Sequence, residues 1–111
     1  MARIYLGLGS NIERERYIVA GLDALQALLG DMQLSSVYES ESIGFEGQPF
    51  LNMVVQATTE LELGDLAAHL RRIETQYGRP VNAQRFSSRQ LEIDILTYDD
   101  YVGEVDGIFL P

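Results

Sequence analysis

What most constrains this chain is its hydrophobic period, which switches between two and about 3.6 residues at nearly every boundary. Ile4-Tyr5-Leu6-Gly7-Leu8-Gly9 reads as a short buried strand closed by glycines. Ser10 and Glu13 then offer a capping box. Ile18, Leu22, Leu25 and Leu29, spaced by four, three and four residues, predict a helix over 12–29 that Gly30 ends. A second strand is expected over 33–39, and Ser40 to Pro49, rich in Ser, Gly, Glu and Pro, reads as a loop. The clearest strand covers 50–60, with Leu51, Met53, Val55 and Ala57 on one face and Phe50, Asn52, Val54 and Gln56 on the other. Leu66, Leu70, Ile73 and Tyr77 return to helical spacing over 65–77. Residues 79–89 form a polar, arginine-bearing loop. A last strand over 90–97 alternates Leu91, Ile93, Ile95 and Thr97 against Glu92, Asp94, Leu96 and Tyr98, leaving 99–111 as an irregular tail or short hairpin.

The order strand, helix, strand, strand, helix, strand predicts an α+β, ferredoxin-like βαββαβ fold. Its four-stranded antiparallel sheet carries both helices on one face. A length of 111 residues points to a single domain, 1–111. Hydrophobic and charged shares of 46% and 23% are those of an ordinary globular chain. No apolar run approaches the ~20 residues of a membrane span, and no signal-peptide pattern opens the chain, so no membrane partner and a cytoplasmic location are expected. The absence of cysteine excludes disulfides, thiolate metal sites and Cys nucleophiles. One histidine, His69, cannot make a multi-histidine metal centre.

A net charge of −9 opposes nucleic-acid binding, and the central strands lack the aromatic cluster of an RNA-binding module on this fold. All eight basic residues are arginines, so a P-loop lysine is excluded. Five of them (Arg71, Arg72, Arg79, Arg85, Arg89) fall in one short segment, and every charged residue after Arg89 is acidic. Arginines feeding into close carboxylates suit a metal-bound polyphosphate; pairing of those charges with each other on the surface is the plainer alternative.

Glu92 and Asp94 are two apart in a predicted strand, which puts both on one face with Cα atoms ~6–7 Å apart. That arrangement suits one or two Mg²⁺ ions, and equally a solvated sheet face. Asn52 and Phe50 share the other strand face: an amide for the edge of a heterocycle and a ring to stack on it, or a backbone-satisfied amide beside a core ring. Gly7-Leu8-Gly9-Ser10-Asn11-Ile12 has Ile12 where a dinucleotide fingerprint needs its third glycine.

Taken together, these stretches resemble the hydroxymethyldihydropterin pyrophosphokinases of folate biosynthesis. The resemblance is carried by Gly9-Ser10-Asn11, Gln48-Pro49-Phe50-Leu51-Asn52, Arg72-Ile73-Glu74 with Gly78-Arg79, and above all Arg85-Phe86-Ser87-Ser88-Arg89-Gln90-Leu91-Glu92-Ile93-Asp94-Ile95. It implies transfer of the pyrophosphoryl group of ATP to the pterin hydroxymethyl group, with two Mg²⁺ ions. It also implies roles: Glu92 and Asp94 as metal ligands; Ile43, Phe50, Asn52 and Phe86 on the pterin; Glu74, Arg89 and Ile95 on the nucleotide; and Arg79 and Arg89 as catalytic cations.

The chain also departs from that family. Glu92 stands for the first aspartate of an Asp-x-Asp pair, Phe86 for a loop-closing tryptophan, and Val81 and Asn82 for a basic pair. Gly107 and Phe109 replace nucleotide-contacting residues, and the family pattern continues beyond Pro111. The sequence therefore predicts a core without the family's C-terminal segment. The alternative to an active enzyme is a non-catalytic paralogue or shortened core with a weakened pterin and nucleotide pocket, in which pterin binding outlasts ATP binding. Apolar surface left by a shortened core is what a second copy would cover in a homodimer.

Overall fold

The structure is a computed structural model and describes residues 1–41, 48–77, 90–105 and 108–110. Strand β1 (Ala2–Ser10) is followed by helix α1 (Arg14–Leu29), two short strands β2 (Gln33–Leu34) and β3 (Tyr38–Ser40), the long β4 (Phe50–Thr59), helix α2 (Leu63–Gln76), β5 (Glu92–Tyr98), and a hairpin of β6 (Gly103–Val105) and β7 (Ile108–Leu110). The main sheet has the order β2-β4-β1-β5 with β3 also on β4, and each of these pairings is antiparallel. Each helix thus crosses over one intervening strand, the split βαβ arrangement of the expected α+β, ferredoxin-like fold.

One sheet face and both helices close a single core. Ile4, Leu6 and Leu8 of β1, Met53, Val55 and Ala57 of β4, and Ile93 of β5 meet Ile18 and Leu25 of α1 and Leu63, Leu66 and Leu70 of α2. Gly21 lets α1 approach closely, since a Cβ there would lie 2.9 Å from Leu91 Cδ1. Tyr17 of α1 meets Tyr77 edge-on at 6.0 Å between centroids and accepts a hydrogen bond from Gln90 Nε2 at 3.3 Å. Both flanks of residues 78–89 are thereby tied to one helix. No helix among the described residues is long and apolar enough to cross a membrane.

Three local expectations need correction. Ser10 belongs to β1 and its hydroxyl donates to the Ile12 carbonyl, so it caps nothing; α1 starts at Arg14 after Glu13, whose φ of 43° is left-handed. The strand expected over 33–39 is broken between Leu34 and Tyr38, where Ser35 to Val37, three residues, face only Met53 and Val54 of β4. The strict alternation of the last strand also fails. Tyr5 pairs with Thr97 but Leu6 pairs with Ile95, so Leu96 is an extra, bulged residue. Tyr98 consequently turns into the core at 7% exposure, where its hydroxyl donates to the Leu61 carbonyl, and Thr97 faces out.

Candidate active site

The sheet face away from the helices carries the polar residues. Directly paired residues share a face. Glu92, Gly9, Asn52 and Tyr38 therefore form one row across β5, β1, β4 and β3, and Asp94, Gly7 and Val54 form the next. Glu92 and Asp94 project from the same face of β5, and Asp94 is exposed. Gly7 and Gly9 bring no side chain to the middle of these rows. A cleft of about 450 Å³ opens there, lined by the two glycines with Glu92, Asp94, Leu96, Tyr38 and Asn52.

Position 9 leaves little room for a side chain. A Cβ there would lie 3.3 Å from Asn52 Oδ1 and 3.5 Å from Phe50 Cδ1, so both side chains lie against the Gly9 backbone. The Asn52 amide donates to Ser40 Oγ at 2.7 Å and more weakly to the Phe50 carbonyl at 3.4 Å. One face of the cleft is therefore carboxylate and the other an oriented amide beside an aromatic ring.

A second cleft, of about 550 Å³, lies between α2 and β5 and is lined by Arg71, Glu74, Ile93, Asp94, Ile95 and Ile108. Asp94 borders both clefts. Glu74 is 4% exposed; its Oε2 accepts a hydrogen bond from the Ile93 amide at 3.1 Å, and its Oε1 lies 3.5 Å from Arg71 Nε. Its carboxylate thus holds the backbone of the residue between Glu92 and Asp94.

Among the described residues, no three His, Cys, Asp or Glu side chains gather into a group able to hold a metal. Two hard carboxylates on one face nevertheless fit Mg²⁺, which keeps several waters and takes part of its shell from substrate phosphates. Of the residues singled out in the sequence, Glu92, Asp94, Asn52 and Phe50 come together around Gly7 and Gly9, while Glu74 and Ile95 line the adjoining cleft. Ile43, Arg79, Phe86 and Arg89 lie outside the described residues. Sequence reasoning missed Tyr38, because the extra residue between β2 and β3 changes the face it takes; it put Leu96 on the face of Glu92 and Asp94 but gave it no role. It also gave no role to Arg71, which the i, i+3 spacing to Glu74 signals.

Comparison with known proteins matches residues 5–111 to the family model described as 7,8-dihydro-6-hydroxymethylpterin-pyrophosphokinase. A relative from Aquifex aeolicus, named 2-amino-4-hydroxy-6-hydroxymethyldihydropteridine pyrophosphokinase, is 40% identical over 104 residues, which cover 92% of this chain and 64% of that protein. Proteins of the same name from Bacillus subtilis and Haemophilus influenzae are each 33% identical, covering 96% and 100% of this chain and 66% and 71% of their own lengths. The chain thus spans about two thirds of the length of these relatives. With nearly its whole length matched, the chain belongs to the 7,8-dihydro-6-hydroxymethylpterin-pyrophosphokinase family.

Proposed function

We propose that this chain carries the pterin, metal and nucleotide sites of a pyrophosphokinase, which transfers the pyrophosphoryl group of ATP to 6-hydroxymethyl-7,8-dihydropterin. The observation that carries the proposal is the row Glu92–Gly9–Asn52, which sets a carboxylate and an oriented amide on either side of a strand with no side chain. Two strand spacings separate them by roughly 10 Å, enough for a flat bicyclic heterocycle to lie between. Asn52 would take the heterocycle's donor and acceptor edge, and Phe50 would stack on its face. The names of the relatives agree with this substrate.

The nucleotide is assigned to the cleft between α2 and β5, with Glu74 and Ile95 on its adenosine side and its phosphates reaching Asp94. There the hydroxymethyl oxygen attacks the β-phosphorus of ATP and AMP leaves, while the hydroxyl proton is lost to solvent or a phosphate. Glu92 and Asp94 would hold two Mg²⁺ ions, which supply charge neutralisation on the phosphates when bound. The chain's own contribution is to hold both substrates in line, with Arg79 and Arg89 as the cations assigned to the phosphates. Ile43 and Phe86 are assigned to the pterin.

The test is calorimetric titration with 6-hydroxymethyl-7,8-dihydropterin and with Mg-ATP, followed by a coupled assay for AMP release. AMP formed in step with pterin consumed supports the proposal. Binding of both ligands without AMP would leave a core that holds its substrates but does not join them. Binding of neither overturns the assignment.

A further inference from the structure

Asn11 is an internal amide with no place in the chemistry above: it is 3% exposed, and its Nδ2 donates to the Gln48 carbonyl at 3.1 Å. Three residues on, Arg14 Nη1 donates to the Pro49 carbonyl at 3.1 Å and to Glu39 Oε2 at 2.9 Å. Gln48 and Pro49 lead directly into Phe50 and Asn52, and Glu39 lies on β3 opposite Leu51. The turn from β1 to α1 therefore grips both strands of the β3–β4 pair next to the Asn52 amide. The turn itself is held in a costly shape. Glu13 adopts a left-handed conformation without being glycine, which costs on the order of 1 kcal/mol and persists only where surrounding contacts enforce it.

We propose that Asn11 and Arg14 are positioning residues for pterin selectivity: they fix the backbone at 48–49 so that Phe50 and Asn52 present ring and amide together over Gly9. The inference rests on the pterin assignment of that cleft. Asn11 acts on the Gln48 carbonyl with a directional, part-buried donor. Arg14 joins incoming and outgoing strands through one guanidinium nitrogen and is partly exposed, so it can be removed without opening the core. Neither side chain lines either cleft, which separates them from groups that touch a substrate.

The experiment compares Arg14→Ala, Arg14→Lys and Asn11→Ala with the parent chain. Two readouts are taken: Kd for 6-hydroxymethylpterin and for Mg-ATP, and amide exchange of the segment 50–52 in the unliganded protein. The expected result for Arg14→Ala is about tenfold weaker pterin binding, the scale of one lost charge-assisted hydrogen bond, with Mg-ATP binding within about twofold. Lysine at 14 should restore part of the loss. Exchange at 50–52 should quicken about tenfold while that of β5 holds.

Equal weakening of both ligands, or loss of thermal stability with pterin binding unchanged, would make these residues merely structural and overturn the proposal. If the parent chain itself fails to bind the pterin, the cleft assignment fails. The clamp is then decided by exchange alone: quickened exchange at 50–52 upholds it and unchanged exchange overturns it. Should Asn11→Ala not fold, the Arg14 variants carry the same decision.

Discussion

The two outer edges of the sheet use the same device with different support. On β5 the extra residue Leu96 re-aims the strand, and between β2 and β3 an extra residue does the same for Tyr38; both side chains end on the cleft. The β5 edge is backed from inside: Leu91 and Ile93 lie in the core, and buried Glu74 bonds the Ile93 amide. The β3 edge has no such backing, its three residues being exposed, and it is held by polar contacts from Ser40, Glu39 and Arg14. The charged side of the cleft is thus built on a buried frame, and the β3 edge of the recognition side on solvent-accessible hydrogen bonds. Hydrogen bonds that water can replace are worth less, so the recognition side should yield to substitution in smaller steps.

The sharpest way to break this comparison is at Asp94, which is exposed yet borders both clefts. Asp94→Asn should lower the rate of pyrophosphoryl transfer by about 100- to 1000-fold, the usual scale for a group that stabilises charge on a transferring phosphoryl. The melting temperature should move by no more than about 2 °C, because little packing is lost. Steady-state AMP release and a thermal melt decide it. If the variant unfolds instead, the carboxylate belongs to the frame and the division between the two sides is wrong.

Next in size is Glu74. Glu74→Leu removes the acceptor of the Ile93 amide within the core and should cost about 2 kcal/mol of stability, read from the urea midpoint at unchanged slope. Glu74→Gln keeps an acceptor oxygen and should cost about half as much. Equal losses in the two variants would show that charge, and not the bond to the strand between Glu92 and Asp94, is what matters there.

How much of this was legible in the sequence follows the same division. The period of two in Phe50–Thr59 and of about 3.6 in Ile18–Leu29 come from burial, and burial is written in which residues are apolar. Those elements, and the shared face of Glu92 and Asp94, read through directly. The bulges do not. Thr97 and Tyr98 suit either face of a strand, so nothing in their chemistry announces that Leu96 is extra, and Tyr98 was expected on the cleft face that Thr97 takes. The run from Leu34 to Glu39 is exposed throughout, so no apolar alternation marks its break or fixes its register. Ser10 and Glu13 fit a capping box by spacing alone, but Ser10 is the last residue of a buried strand and its hydroxyl is used on Ile12. Clefts depend on which residues lack a side chain opposite the polar ones, and that needs the pairing register of three strands at once.

A smaller effect separates the two glycines. Gly9→Ala places a methyl 3.3 Å from Asn52 Oδ1, and the amide must give way, whereas Gly7→Ala meets only the end of Leu96 at 3.5 Å. The first should weaken binding of 6-hydroxymethylpterin about fivefold and the second by less than about twofold, since ordinary van der Waals contact needs no rearrangement. Both should fold, as the nearest atoms each methyl meets belong to side chains that can shift. Equal effects would mean that Asn52 adjusts freely and that its orientation over Gly9 carries no selectivity.

The smallest expected effect tests the recognition side at its outermost bond. Ser40 Oγ accepts from Asn52 Nδ2 at 2.7 Å, a short contact between two side chains at the solvent edge. In Ser40→Ala the amide keeps only the long contact to the Phe50 carbonyl at 3.4 Å, which is weak by geometry. Water can replace the hydroxyl, so folding stability should fall by no more than about 0.5 kcal/mol. The amide would however be free to rotate before the pterin arrives. Ordering a single side-chain torsion on binding costs on the order of 0.5 kcal/mol, or about two- to threefold in Kd. That loss should appear in pterin titration and not in Mg-ATP titration, and should vanish against an Asn52→Ala background, where there is no amide to orient. An unchanged Kd would place the orientation of Asn52 with Gly9 and the strand backbone, and make the two edges of the sheet more alike in support than their burial indicates.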